Sequence, residues 1–207
     1  MKNEGNIFLY ILKMFTFDFS FIEPKNVLTI FHLLGLSLGL GGALIADLLF
    51  FHASRDRKIT KTEFRFLIAG SHAVTAGLII LILSGASMFF LDVERFLDST
   101  KFLAKVTIVG ILVVNGVLLH TVHIPHMRKT LGRALFDSVH PGYPLFFLAS
   151  GVVSIVSWIS AMILGSLSVV PWSYGGIISF YAIVLFCSLL LAFILRESVI
   201  PSGRIKR

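Results

Sequence analysis

SVHPGYPLFFLASGVVSIVSWISAMILGSLSVVPWSYGGIISFYAIVLFCSLLLAFIL, residues Ser138 to Leu195, runs for 58 positions without one Asp, Glu, Lys or Arg. A soluble domain cannot bury such a length without charged residues at its turns, whereas two membrane-spanning helices joined by a short neutral link require only this. The stretch therefore reads as part of an integral membrane protein. Its link is Pro171-Trp172-Ser173-Tyr174-Gly175-Gly176, with Trp172 and Tyr174 suited to the level of the lipid headgroups. At its start, His140-Pro141-Gly142-Tyr143-Pro144 cannot be continuous helix, so the fourth span is entered through a rigid turn.

Working outward, charge-free runs also cover Phe66–Leu91 and Val106–Met127, and Asn26–Ala46 is followed by Asp47 and then Leu48-Leu49-Phe50-Phe51. At 1.5 Å per residue each crosses about 30 Å of hydrocarbon, which predicts spans near 27–51, 65–90, 103–124, 144–166 and 173–195. The expected fold class is all-α, an integral membrane bundle of five transmembrane helices in one domain over residues 26–200. A hydrophobic content of 56%, 14% charged residues and a mean hydropathy of +0.91 agree with lipid as the main solvent.

Residues 1–25 form a distinct segment. Ile7–Leu12 is apolar, but Lys13 cuts the run and no small-residue cleavage site follows, which argues against a cleaved signal peptide. Phe15, Phe17, Phe19 and Phe21 alternate with Thr16, Asp18 and Ser20. A lone strand in lipid would leave its backbone unpaired, so an interfacial or re-entrant segment is expected, with a short sixth span from Asn6 to Ile22 as the competing reading. Residues 201–207 read as a basic tail.

The loop charges predict orientation. Arg55, Arg57, Lys58, Lys61, Arg65, Arg128, Lys129, Arg133, Arg196, Arg204, Lys206 and Arg207 share one side with Asp56, Glu63, Asp137 and Glu197. On the other side Lys2, Lys13, Lys25, Arg95, Lys101 and Lys105 balance Glu4, Asp18, Glu23, Asp92, Glu94 and Asp98. The positive-inside rule then puts the amino terminus outside and the carboxyl terminus in the cytoplasm, as for a multi-pass protein of a bacterial inner membrane. Topology thus explains the pI of about 9.8, and no nucleic-acid partner is called for. Cys187, the only cysteine, excludes an intrachain disulfide and reads as a packing residue.

Small residues mark close helix approach: Gly35, Gly39 and Ala43 lead to Asp47 at four-residue steps, and Ala69, Ala73 and Gly77 answer them in the second span. Gly116 stands one turn before His120, and Ser150, Ser154, Ser157 and Ala161 give the fourth span a thin face. Tight packing accounts for such positions; a planar cofactor against side chains reduced to hydrogen or methyl is the sharper reading. Trp158 is expected to be packed or lipid-facing rather than stacked on a cofactor.

Ionisable groups inside the bilayer are candidate functional residues because charge there is expensive. Asp47 suits either a structural pair with Arg65, Arg133 or a histidine, or proton and metal handling, and Asn115 suits a link between helices. By depth, six of the seven histidines fall in one leaflet, only His32 lying in the other. Two uses follow. His72 and His120 would ligate one b-type haem between the second and third spans, with Gly77 and Gly116 making room for the ring. Alternatively His72, His120, His123 and Asp47, with the nearby His52, His126 and His140 and with Asp56, Glu63 or Asp137, would form a cytoplasm-facing zinc, iron or copper site. His120 and His123 would face together if the helix continued, while Pro125 is expected to end the helix and aim His126 separately. No H-E-x-x-H, nucleophile elbow or phosphate loop is present, and the Asp56–Glu63 loop lacks the alternating acids and central glycine of a calcium loop.

Over residues 27–124 the layout resembles small di-haem four-helix membrane cytochromes, without a matched motif. It departs from them in the outer half, where only His32 is at hand and a second haem would need Met88 or Met162. The pattern His32-x-x-Gly35-x-x-x-Gly39-x-Gly41-Gly42-x-x-x-x-Asp47, with Lys105 and Asn115-Gly116, is similar to a family of small uncharacterised bacterial inner-membrane proteins. That resemblance implies class and location only. The function classes left are a haem-binding or electron-transfer module with a membrane redox partner, an ion transporter, and an accessory subunit of a homo-oligomer or larger complex without a cofactor.

Overall fold

The computed structural model describes residues 23–55, 59–132 and 143–199. Expectations about residues 1–22, Arg133, Asp137, His140 with its proline turn, and the tail 201–207 lie outside the described residues. Within them five helices are long and apolar enough to cross a membrane: Pro24–His52, Lys61–Leu91, Thr100–Lys129, Tyr143–Ser166 and Tyr174–Arg196. The protein is an all-α membrane helical bundle. The elements are α1 (Pro24–Arg55), α2 (Lys61–Leu91), the short α3 (Val93–Leu97), α4 (Thr100–Leu118), a π-helical turn (Leu119–His123), α5 (Ile124–Lys129), α6 (Tyr143–Ser166) and α7 (Tyr174–Val199).

Outside faces carry large apolar side chains, such as Leu48, Leu83 and Phe90, at 63–75% exposure, the surface a bilayer would cover. α1 and α2 form an antiparallel hairpin whose backbones touch. A Cβ on Gly77 would stand 2.7 Å from both Gly35 O and Gly39 Cα, and a Cβ on Gly35 would stand 2.9 Å from Gly77 O. Further along, Gly42 meets Ala73 and Val74, and Gly70 meets Ala46. Gly35 and Gly77 are therefore needed because backbone occupies the space of their side chains.

α2 begins four residues earlier than the apolar run predicts because Thr60 and Glu63 form a capping box. Thr60 N–H donates to Glu63 Oε2 at 2.8 Å, and Glu63 N–H donates to Thr60 Oγ1 at 3.2 Å. Glu63 is thus a helix cap. Beside it Ile59, 1% exposed, packs with Phe50, Phe64, Leu67, Ile124 and Met127, and its carbonyl accepts from Gly132 N–H at 3.1 Å.

The remaining long helices dock on this hairpin through α6. Trp158, 1% exposed, lies in the notch at Gly39, where a Cβ would come within 2.7 Å of its Cζ2, so it is a packed residue as expected. α7 joins α6 and α4 through Ala104, Ile108, Leu164, Ile177 and Tyr181. Ser157 donates to Val153 O at 2.6 Å, so Tyr181 is the donor in its 2.8 Å bond to Ser157 Oγ. Cys187 lies exposed on α7.

Pro125 does not end the helix. Its missing N–H and its ring are accommodated by the widened turn at Leu119–His123, after which the helix continues to Lys129. The extra residue in that turn also changes which side chains share a face. His123 is 1% exposed, whereas His120 is exposed.

Candidate functional site

A cavity of about 430 Å³ lies between α1, α2, α4, the π turn and α6. It occupies the half of the bundle toward the α1–α2 connection. Ala43, Ala46 and Asp47 come from α1; Ser71, Val74, Thr75, Leu78, Ile79 and Ile82 from α2; Leu112, Val113, Asn115, Gly116 and Val117 from α4; His120 and His123 from the turn; and Ser150, Gly151, Ser154 and Trp158 from α6. Spacing of three and four residues puts each set on one helix face. Most of the wall is apolar, and no Lys or Arg lines it.

Two polar atoms in this wall are buried without a hydrogen-bond partner among the described residues, Asp47 Oδ2 and His123 Nε2. Asp47 reaches the cavity from the small-residue face of α1, and Gly151 opposite leaves room for its carboxylate, whose Oδ1 would be 3.9 Å from a Cβ at that position. His123 is held by Tyr143 OH, 3.2 Å from its Nδ1, and by the ring of Phe147 with centroids 4.6 Å apart. Leaving such an atom unpaired in a dry interior costs on the order of 1–3 kcal/mol. Both therefore favour a guest that offers a hydrogen bond.

Asn115, Ser150, Thr75 and His120 each have a hydrogen-bond partner within the bundle. Ser150 Oγ donates to Asn115 Oδ1 at 2.7 Å, and Asn115 Nδ2 donates to Ser150 O at 3.0 Å, which is the helix link expected of Asn115. His120 Nε2 lies 2.9 Å from Thr75 Oγ1, whose own proton goes to Ser71 O at 2.9 Å. A hydroxyl has one proton, so His120 donates from Nε2 and keeps its Nδ1 as an acceptor. By the same logic His32 donates from Nδ1 to Ser84 Oγ, 3.0 Å away, because Ser84 gives its proton to Ile80 O at 2.6 Å.

The sequence-predicted residues are thus divided. Asp47, His120, His123 and Gly116 line one cavity, but His72, one residue beyond Ser71, is exposed and lies outside its lining. Gly77 does not make room for a ring, because the backbone of Gly35 and Gly39 fills the space a side chain would take. Gly116 does offer such room, with nothing within 4 Å of a Cβ there. Among the described residues no group of three or more His, Cys, Asp or Glu is close enough to hold a metal ion, so the expected set of His72, His120, His123 and Asp47 is not gathered. Sequence reasoning missed Thr75 and Gly151; the only signal was their position one turn from Ser71 and next to Ser150. The chain matches no protein-family model, no curated protein and no solved structure, and the site is read from its own geometry.

Proposed function

We propose that this chain is a membrane-embedded binding module whose ligand occupies the cavity between α1, α2, α4 and α6. The reading is carried by two buried, unpartnered polar atoms, Asp47 Oδ2 and His123 Nε2, on residues that line one otherwise apolar space. A carboxyl and an imidazole together can accept and return a proton, so a bound hydroxyl or carbonyl would be hydrogen-bonded whichever group carries it. With the basic loops on the cytoplasmic side, the site lies in the inner leaflet.

One observation favours haem b as a second reading. His120 stands at the cavity rim one turn from Gly116, whose face is open, so a flat ring could rest there with His120 as one axial ligand and pass electrons to a membrane redox partner. His120 would offer the iron its Nδ1, or its Nε2 in exchange for the bond to Thr75, and His72 would have to reach the ring from outside the lining. Iron, zinc or copper without a macrocycle has less support, for want of a third ligand.

The test is to purify the full chain in mild detergent with native lipid, extract it for mass spectrometry, and record its visible spectrum. A single molecular species retained near one per chain by the wild type and lost in Gly116→Leu supports the binding module. A wild type that retains nothing beyond bulk lipid overturns it. A reduced band near about 560 nm, abolished in His120→Ala, would put haem first.

A further inference from the structure

The side of the cavity faces the bilayer. α2 and α4 do not pack backbone to backbone along their length; side chains bridge them at two levels, Phe89 stacked on Phe102 with centroids 5.7 Å apart and Thr75 bonded to His120 at 2.9 Å. Between these pins the cavity wall consists of Ile79 and Ile82 from α2 and Val113 and Val117 from α4, at 37–56% exposure. Residues that line an internal space and also reach the outer surface bound an opening, and this one is edged by aliphatic side chains at membrane depth. Whatever passes it comes from the lipid.

The polar end limits the headgroup. Asp47 and the absence of Lys and Arg from the lining disfavour a phosphate or a carboxylate, which would sit uncompensated beside an acid. A neutral headgroup with hydroxyl or carbonyl oxygens satisfies Asp47 and His123 without that cost. The space above Gly116 has no side chain to obstruct a ring, Gly151 leaves room beside the Asp47 carboxylate, and His120 at the rim supplies a further hydrogen-bonding group. A ring with oxygens at opposite ends and an apolar tail matches this set better than a flexible glyceride.

Resting on the binding module proposed above, we infer that its ligand is a neutral lipid of the quinone–quinol class, which enters sideways between α2 and α4 and turns its ring oxygens toward the polar lining residues Asp47, His123 and His120. The tail lies between Ile79 and Val117. Only binding is assigned.

Trp158 lines the cavity and is 1% exposed, so it reports occupancy once Trp172 is replaced. The full chain carrying Trp172→Phe, in phosphatidylcholine nanodiscs, would be titrated with a decyl-tailed benzoquinone while Trp158 fluorescence is read. Saturable quenching is expected, displaced by the corresponding quinol, with affinity at least tenfold weaker in Asp47→Leu and in Gly116→Leu. Gly116→Leu meets open space, which guards against mere misfolding. Ile79→Phe with Val117→Phe should narrow the opening and slow association at least tenfold; an unchanged rate overturns sideways entry. Quenching that never saturates, or that is equal in wild type and Gly116→Leu, overturns the quinone class, as does displacement of the native species by dioleoylglycerol but not by quinol. If that happens while a co-purifying molecule is still lost in Gly116→Leu, the binding module stands and this inference alone falls.

Discussion

Replacing Gly77 by alanine should loosen the α1–α2 hairpin far more than the same change at Gly116. At Gly77 the new methyl would stand 2.7 Å from Gly35 O and from Gly39 Cα, both backbone atoms that no rotamer change can move. Ordinary carbon contacts lie at about 3.5–4.0 Å, so the helices must part by roughly 1 Å. A gap of that size forfeits about a quarter to a half of each contact. For on the order of 100 heavy-atom pairs at about 0.1 kcal/mol each, the lower end of the usual range, that is a loss of about 3–5 kcal/mol. Alanine recovers about 1 kcal/mol of helix propensity, and relaxation reduces the remainder, leaving a net loss of about 2–3 kcal/mol. At Gly116 nothing lies within 4 Å, so Gly116→Ala keeps the propensity gain without the clash. Equilibrium unfolding in mixed dodecyl sulfate micelles, followed by circular dichroism, measures both. A Gly77→Ala protein as stable as Gly116→Ala would refute the claim that backbone contact holds this hairpin.

Removing either half of the Asn115–Ser150 pair should cost about 1–2 kcal/mol, and the double variant Asn115→Leu with Ser150→Ala should cost little more than Asn115→Leu alone, since the one hydrogen bond that Ser150→Ala removes is already lost there while the bond to the Ser150 carbonyl depends on Asn115 only. The same unfolding assay checks this, and additive losses would argue against the link. Glu63→Ala removes the acceptor for Thr60 N–H and should weaken the start of α2 by about 1 kcal/mol. Hydrogen exchange at the first-turn amides should then quicken by about fivefold, corresponding to that energy.

Depth along each helix is legible in the sequence, whereas direction around the helix is much less so. Charge-free runs of some twenty residues allow little except a membrane span, and the predicted spans end within five residues of those observed, because caps and, after Pro125, a widened turn decide the last residues rather than hydropathy. Asp47, Asn115 and Gly116 were identifiable because a polar group or a missing side chain at that depth needs a reason. His72 shows the limit: one residue, about 100° of rotation, separates it from Ser71 in the cavity wall. Gly77 shows another, since a glycine that admits a neighbouring backbone and one that admits a ligand look alike in a sequence. The π turn was hidden because Pro125 signals a helix end unless the preceding turn widens, and no residue of Leu119–His123 announces that widening.

The glycine seam between α1 and α2 also bears on the order of assembly. All its contacts join residues close in sequence, so the hairpin can close as soon as α2 has entered the bilayer, before the rest of the chain is made. The notch at Gly39 is then already shaped when Trp158 arrives some hundred residues later in synthesis, and α6 docks on a finished surface. A lesion at Gly39 or Gly77 would thus act during biogenesis, leaving the later helices without a template, and would show as a shortage of protein in the membrane before any loss of binding could be measured.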